Sequence, residues 1–165
     1  GMNQAAYAAG HPIPNIIGMA FSYSMTIAVL YPAFALAVLI FSKSNQLKTV
    51  GKISIAPAFF GISEPLMFGV PVVMNPFMAI PWIISPTVNV LLGWLACSSG
   101  LVARYAGVTV FNFPMGVTGI LNGSFTIAIL EVVVCIIDVL IFMPFVRIQD
   151  KKYIDAEKAA ETEQN

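Results

Sequence analysis

Residues 61–89 read GISEPLMFGVPVVMNPFMAIPWIISPTVN, and the way this stretch sits in its surroundings decides the fold. It is apolar enough for the middle of a bilayer, yet it carries a carboxylate at Glu64, prolines at 65, 71, 76, 81 and 86, and the asparagines Asn75 and Asn89. A segment within lipid must satisfy its own backbone, so a helix interrupted this often is tolerated only where it is buried in protein or lines a wet cavity. The stretch therefore predicts a buried cavity with Glu64 in it.

Composition places the whole chain in a membrane. Of 165 residues 58% are hydrophobic and only 10% charged, the mean hydropathy is +0.86, and ordinary soluble domains carry about 25% charge. The charges are also segregated. None precedes Lys43, only Glu64, Arg104, Glu131 and Asp138 lie between Ile53 and Val146, and most of the others follow Arg147. The zero net charge is thus a sum over unlike regions and gives no support for nucleic-acid binding. Cys97 and Cys135 sit in apolar runs without a C-x-x-C spacing or a histidine neighbour, which reads as packing. No signal-peptide pattern is present, and Gly1 before Met2 suggests the later part of a longer chain.

Working outward from the central stretch, an all-α polytopic protein is expected, with about three transmembrane helices and two re-entrant hairpins. Residues 1–15 read as a loop leading the chain into the membrane, its His-Pro-x-Pro turn favouring an extended path. His11 reads as a solvated or interfacial loop residue. Residues 16–41 are uncharged and long enough to cross, since about 20 apolar residues suffice. Small residues there allow close helix approach, and Pro32 predicts a kink. Residues 42–53, with Lys43, Lys48 and Lys52, read as a cytoplasmic basic loop. Residues 54–69 are too short and broken to cross and read as a re-entrant hairpin turning at Gly61-Ile62-Ser63-Glu64-Pro65. Gly61 permits an unusual backbone angle, Ser63 can cap a helix, and Pro65 suits a first helical turn. Glu64 would then stand at a half-helix N-terminus, where exposed amides suit a carboxylate.

Residues 70–97 are long enough to cross as a broken helix, two short pieces with a bend, because prolines five or six apart do not share a face. Residues 98–107 form an external loop with Arg104, and residues 108–124, rich in Gly, Pro, Asn and Thr, read as a second re-entrant segment entering from outside. Residues 125–146 cross inward. The polar tail 147–165 reads as cytoplasmic, disordered or loosely helical.

An ionisable residue inside a membrane is a functional-site candidate by default, and Glu64 is the strongest. Two readings stand beside each other: a carboxylate accepting from a ligand, or one satisfying the hairpin's own amides. Glu131 and Asp138, seven apart on one helix, read either as a proton relay or as acceptors for hydroxyls inside the bundle. Asn75, just before Pro76, can both donate and accept, which suits a hydroxyl-rich ligand. Among the aromatics, Phe111 beside Asn112 in a broken segment is placed for stacking, whereas tryptophans are explained by interfacial belts. No phosphate-cradling loop, metal spacing or nucleophile elbow is present, so no catalytic residue, metal site or cofactor is expected. The residues alone support binding or transport of a neutral polar solute near mid-membrane.

The run SKSNQLKTVGKISIAPAFFGISEPLMFGVPVVMNPFMAIPWIISPTVN (residues 42–89) closely resembles the signature region of the membrane-spanning enzyme IIC of the bacterial phosphotransferase system, lactose/cellobiose/diacetylchitobiose family. The matching positions are Phe60, Ile62-Ser63-Glu64-Pro65, Phe68-Gly69 with Pro71, Asn75-Pro76, Pro81, Pro86 and Asn89, and FMPFVR near the end resembles the family's closing helix. The resemblance implies a multi-pass permease of the bacterial inner membrane with a cytoplasmic C-terminus. It would bind a disaccharide and present it to phospho-IIB, which is charged by IIA, without being phosphorylated itself. Glu64 would contact the sugar hydroxyl near the arriving phosphate, with Ser63, Asn75, Phe111 and Asn112 as further sugar contacts. A homodimer would form through N-terminal helices preceding this chain. The family's site histidine would likewise precede residue 1, and His11 is no substitute. Gly61 stands where the family has asparagine, and Phe111 where it has tryptophan in a P-W-T-x-P pattern. A cation-coupled carrier using Glu64, Glu131 and Asp138, and a membrane subunit without transport, are the competing expectations.

Overall fold

The computed structural model describes residues 1–73 and 75–163, and all regular structure among them is helical. Met74 and the last two residues, which fall within the expected broken helix and tail, lie outside the described residues. Among the described residues three helices are long and apolar enough to cross a membrane: Met19–Phe41, Pro76–Ser98 and Phe125–Thr162.

The chain opens with α1 (Met2–Ala8), where a loop was expected. Asn3 fastens it, donating to the Asn15 carbonyl at 2.8 Å and the Tyr105 carbonyl at 3.0 Å. The first span consists of α2 (Met19–Tyr23), a π-helical turn (Ser24–Ala28) and α3 (Leu30–Phe41). The wide turn sits one turn before Pro32, which has no amide hydrogen to offer the Ala28 carbonyl. The Val29 amide reaches back five residues to the Ser24 carbonyl at 3.3 Å. Asn89 from another helix supplies the Met25 carbonyl with a donor at 3.0 Å.

The basic stretch 42–53 is not a loop: α4 runs from Asn45 to Phe59. Its polarity concealed a helix whose start is held from far along the chain. The Asp150 carboxylate accepts from the Lys43 amide at 2.7 Å, the Ser44 amide at 3.0 Å and the Ser44 hydroxyl at 2.6 Å. Glu157 accepts from the amides of Asn45 and Gln46 at 3.3 and 3.0 Å. These carboxylates satisfy amides that have no partner within the helix. α4 lies against α3, closely enough that a Cβ on Gly51 would meet the Leu39 backbone at 3.1 Å. After a turn at Phe60–Ser63 comes the short α5 (Glu64–Gly69).

The expected bend in residues 70–97 is absent from α6, an unbroken helix from Pro76 to Ser98 that contains Pro81 and Pro86. Each proline forfeits one amide bond, and the Thr87 hydroxyl bonds back to the Ile83 carbonyl at 2.7 Å. Irregular chain from Ala103 to Gly116 leads to α7 (Val117–Leu121). The last element, α8, runs from Phe125 to Glu163, so the expected disordered or loosely helical tail is regular helix through its described length. Docking of Asp150 and Glu157 on α4 accounts for that order. Phe34, Leu47, Leu66, Met78 and Phe142 form one apolar core; Phe21, Met25, Ile127 and Val134 form part of a second. Trp82 packs among Phe34 and Phe142 in the first core and is no interfacial belt residue.

Candidate functional site

Two turns far apart in sequence meet at one tyrosine of the first span. Tyr23 is buried, and its hydroxyl accepts from the Asn112 amide at 3.1 Å. Its ring meets that of Phe111 edge-on, with centroids 5.1 Å apart. On the other side lies Gly61, where an added Cβ would stand 3.1 Å from the Tyr23 hydroxyl oxygen and 3.8 Å from Asn112 Oδ1. Both turns use left-handed backbone: Gly61 has φ +75° and Asn112 has φ 60°. Glycine adopts that region freely and asparagine more readily than most other residues.

The sequence candidates divide around this junction. Ser63 and Glu64 follow Gly61 and Ile62, Ser63 as N-cap of α5 and Glu64 as its first residue. The Ser63 carbonyl accepts from the Leu66 and Met67 amides, while its hydroxyl makes no cap bond. Glu64 is exposed, not buried as the broken stretch predicted, and among the described residues nothing hydrogen-bonds its carboxylate. The turn that carries it is enclosed by Tyr23 and Asn112 only on the Gly61 side. Phe111, 60% exposed, stands beside that turn. Asn75 has a different assignment. Its Oδ1 accepts from the Phe77 amide at 3.1 Å, capping α6, and its Nδ2 donates to Gln149 Oε1 at 2.9 Å.

The two acids in the apolar part of α8, Glu131 and Asp138, face inward, as acceptors. Glu131 is fully buried. Its Oε1 accepts from the hydroxyls of Ser24 at 2.6 Å and Thr118 at 2.7 Å, and its Oε2 from the Gly116 amide at 2.6 Å. The Tyr105 hydroxyl lies 3.0 Å from Ser24 Oγ, and burial pushes this phenol well above its ordinary pKa, so it serves as a neutral group. Glu131 thereby ties the π turn of the first span to the segment after Asn112. Seven residues on, Asp138 Oδ2 accepts from Asn89 Nδ2 at 2.7 Å. Asp138 Oδ1, Asn89 Oδ1 and Ser85 Oγ are buried without a hydrogen-bond partner among the described residues.

Sequence reasoning missed Tyr23, Thr118, Gln149 and Asp150. A tyrosine inside an apolar span was a usable signal, because a buried phenol usually finds a partner. Nothing local marks the other three, whose partners lie 13 to 107 residues away.

Comparison with known proteins converges on one family. The model of the phosphotransferase system EIIC family matches residues 1–86. An oligo-beta-mannoside-specific EIIC component of Bacillus subtilis (strain 168) is 37% identical over 162 residues, 94% of this chain and 37% of that protein. A cellobiose-specific EIIC component of Geobacillus stearothermophilus is 40% identical over 133 residues, 79% of this chain and 30% of its own length. The crystal structure of ChbC, the IIC component of the N,N'-diacetylchitobiose-specific system, superposes with a TM-score of 0.89 at 35% identity, covering 95% of this chain and 38% of ChbC. The chain thus spans 30–38% of the length of these three relatives.

Proposed function

The chain belongs to the phosphotransferase-system EIIC family, and we propose that it supplies the part of a disaccharide permease in which the two turns joined at Tyr23 hold the sugar. It is an all-helical membrane protein with three apolar helices of spanning length. In this reading α4–α5 and the segment around Phe111–Asn112 are re-entrant, dipping from opposite faces so that their tips meet inside the membrane. The basic residues of α4 and the α8 extension face the cytoplasm, following the positive-inside rule. The carrying observation is that Gly61, the residue before the Ile62-Ser63-Glu64 turn, packs against Tyr23 and Asn112.

The chemistry follows from what that junction leaves open. Glu64 has a carboxylate with no protein donor among the described residues, which suits it to sugar hydroxyls. Close to a transferred phosphoryl group it would orient the attacking hydroxyl or accept its proton, the role of a positioned base. Phe111 offers an apolar ring for a sugar face, and Ser63 and Asn112 offer polar groups beside it. Asn75, engaged by Phe77 and Gln149, enters as a positioning residue. The phosphoryl donor is phospho-IIB, recharged by IIA, and a second permease copy completes a homodimer through segments outside this chain. The relatives' cellobiose, oligo-beta-mannoside and diacetylchitobiose specificities favour a β-linked disaccharide. A proton relay through Glu131 is not favoured, because both its oxygens are already engaged by three donors.

Labelled-disaccharide uptake tests the proposal, with the chain co-expressed beside IIA, IIB and the remaining membrane segments of a relative. The expected product is intracellular sugar phosphate, lost in Glu64→Gln and retained in Glu131→Gln. Equal loss in the two variants, or accumulation of unmodified sugar that collapses with the proton gradient, would reject it.

A further inference from the structure

Where the first span ends and α8 leaves the apolar layer, Lys43, Arg147 and Lys151 line a pocket of about 460 Å³ together with Ile40, Phe41, Ile154 and Asp150. The position is a membrane boundary by composition. Ile40, one residue before the end of α3, is 60% exposed, and α8 changes from exposed Ile136 and Leu140 to exposed Arg147, Lys151 and Lys152 within about four and a half turns. The three cations outnumber the one carboxylate of the lining, Asp150, so the pocket carries a net positive charge. Asp150 is buried and its two oxygens are taken by the Lys43 amide and by the Ser44 amide and hydroxyl. No carboxylate forms an ion pair with Lys43, Arg147 or Lys151 among the described residues. Arg147 is held in place, its guanidinium carbon 5.1 Å from the centre of the Phe41 ring. The pocket thus combines three basic groups, one of them stacked on Phe41, with an apolar wall of Ile40, Phe41 and Ile154.

We infer that this pocket is a binding site for an anionic phospholipid, its phosphate held by Lys43, Arg147 and Lys151 and the start of its acyl chains laid along Ile40, Phe41 and Ile154. An arginine fork bonds phosphate oxygens in pairs, while lysines add positive charge from flexible stems. Basic pockets between spanning helices at the membrane surface take acidic headgroups, and each cation adds roughly a fivefold gain in binding there. The apolar wall favours a lipid over free phosphate, which would leave Ile40 and Ile154 uncovered. This inference does not depend on the sugar site.

The test uses the full 165-residue chain, delipidated in detergent and offered phosphatidylglycerol, phosphatidylcholine with the same acyl chains, or inorganic phosphate, with bound species read by native mass spectrometry. The chain is expected to retain phosphatidylglycerol in preference to phosphatidylcholine. Lys43→Gln, Arg147→Gln and Lys151→Gln should each lower that retention about fivefold, and Arg147→Lys should lose less than Arg147→Gln. Lys48→Gln and Lys52→Gln, exposed on α4 outside the pocket, should leave it unchanged. Circular dichroism confirms folding of each single variant. Equal retention of the two lipids, or equal loss in the Lys48 and Lys52 variants, overturns the inference. So does binding of inorganic phosphate where phosphatidylglycerol fails to bind.

Discussion

Ser24 and Glu131 lie 107 residues apart and share a 2.6 Å hydrogen bond in the fully buried interior. The bond joins the one π-helical turn among the described residues to the last span, and the same carboxylate holds Thr118 and Gly116. In Glu131→Ala three donors lose their acceptor, each at a cost of about 1–3 kcal/mol when buried. Glu131→Gln should be far milder. Its carbonyl oxygen can face the Gly116 amide, which can only donate, while its side-chain NH2 faces hydroxyls that can turn to accept. Thermal unfolding in detergent should therefore rank wild type, then Glu131→Gln, then Glu131→Ala; equal destabilisation of the two variants would show that the network is not what holds this junction.

Tyr23→Phe keeps the ring against Phe111 and removes the acceptor for the Asn112 amide. The expected cost is about 1 kcal/mol of stability, in line with a single partly buried hydrogen bond, together with a sugar affinity reduced more than the stability loss explains. Gly61→Ala acts at the same place from the other side, forcing a side chain into φ +75° with the Tyr23 hydroxyl 3.1 Å from its Cβ. Sugar binding by isothermal calorimetry should weaken in both variants. Unchanged affinity in both would separate the tyrosine junction from the sugar site.

Asp150→Ala should loosen the beginning of α4 while leaving its apolar contacts intact. Charged hydrogen bonds contribute about 1.5–3 kcal/mol each, so the amides of Lys43 and Ser44 should exchange with deuterium at least tenfold faster. Glu157→Ala should speed the next two, Asn45 and Gln46, by less, because that contact is exposed. An unaltered exchange profile for residues 43–46 in Asp150→Ala would mean that α4 holds its start without help from α8.

These residues also mark where sequence reading stops. The three spans were legible because their apolar runs exceed the thickness of a bilayer, and Pro32 announced the irregularity that became the π turn. That Glu131 and Asp138 share one face followed from their spacing, and that they point into the bundle from the cost of an ionisable group in lipid. Helix α4 was hidden because Lys43, Lys48 and Lys52 give it the polarity of a loop, and the carboxylates that hold its start come more than 100 residues later. Asn75 looked like a ligand residue because its partner Gln149 is 74 residues distant. Glu64 was expected inside a cavity on the strength of its broken surroundings. The turn geometry at Gly61 was readable, but the exposure of the next carboxylate depends on what packs against it, which no local pattern specifies.

The pair Asn89 and Asp138 yields a prediction of opposite signs. Asn89 Nδ2 donates to both the Met25 carbonyl and Asp138 Oδ2, so Asn89→Leu strips a donor from two buried acceptors at once. A loss of about 2–5 kcal/mol is expected, since two buried acceptors each lose a donor at about 1–3 kcal/mol and the carboxylate costs more. Asp138→Asn replaces a carboxylate with a group that keeps an acceptor for Asn89 Nδ2 and adds donors. Those donors face a site where Asn89 Oδ1 and Ser85 Oγ have no partner among the described residues. Asp138→Asn should therefore unfold at or above the wild-type temperature in detergent while Asn89→Leu unfolds well below it. If Asp138→Asn proves as damaging as Asn89→Leu, the negative charge itself is required, and the unpartnered oxygens must be supplied by something that the carboxylate attracts.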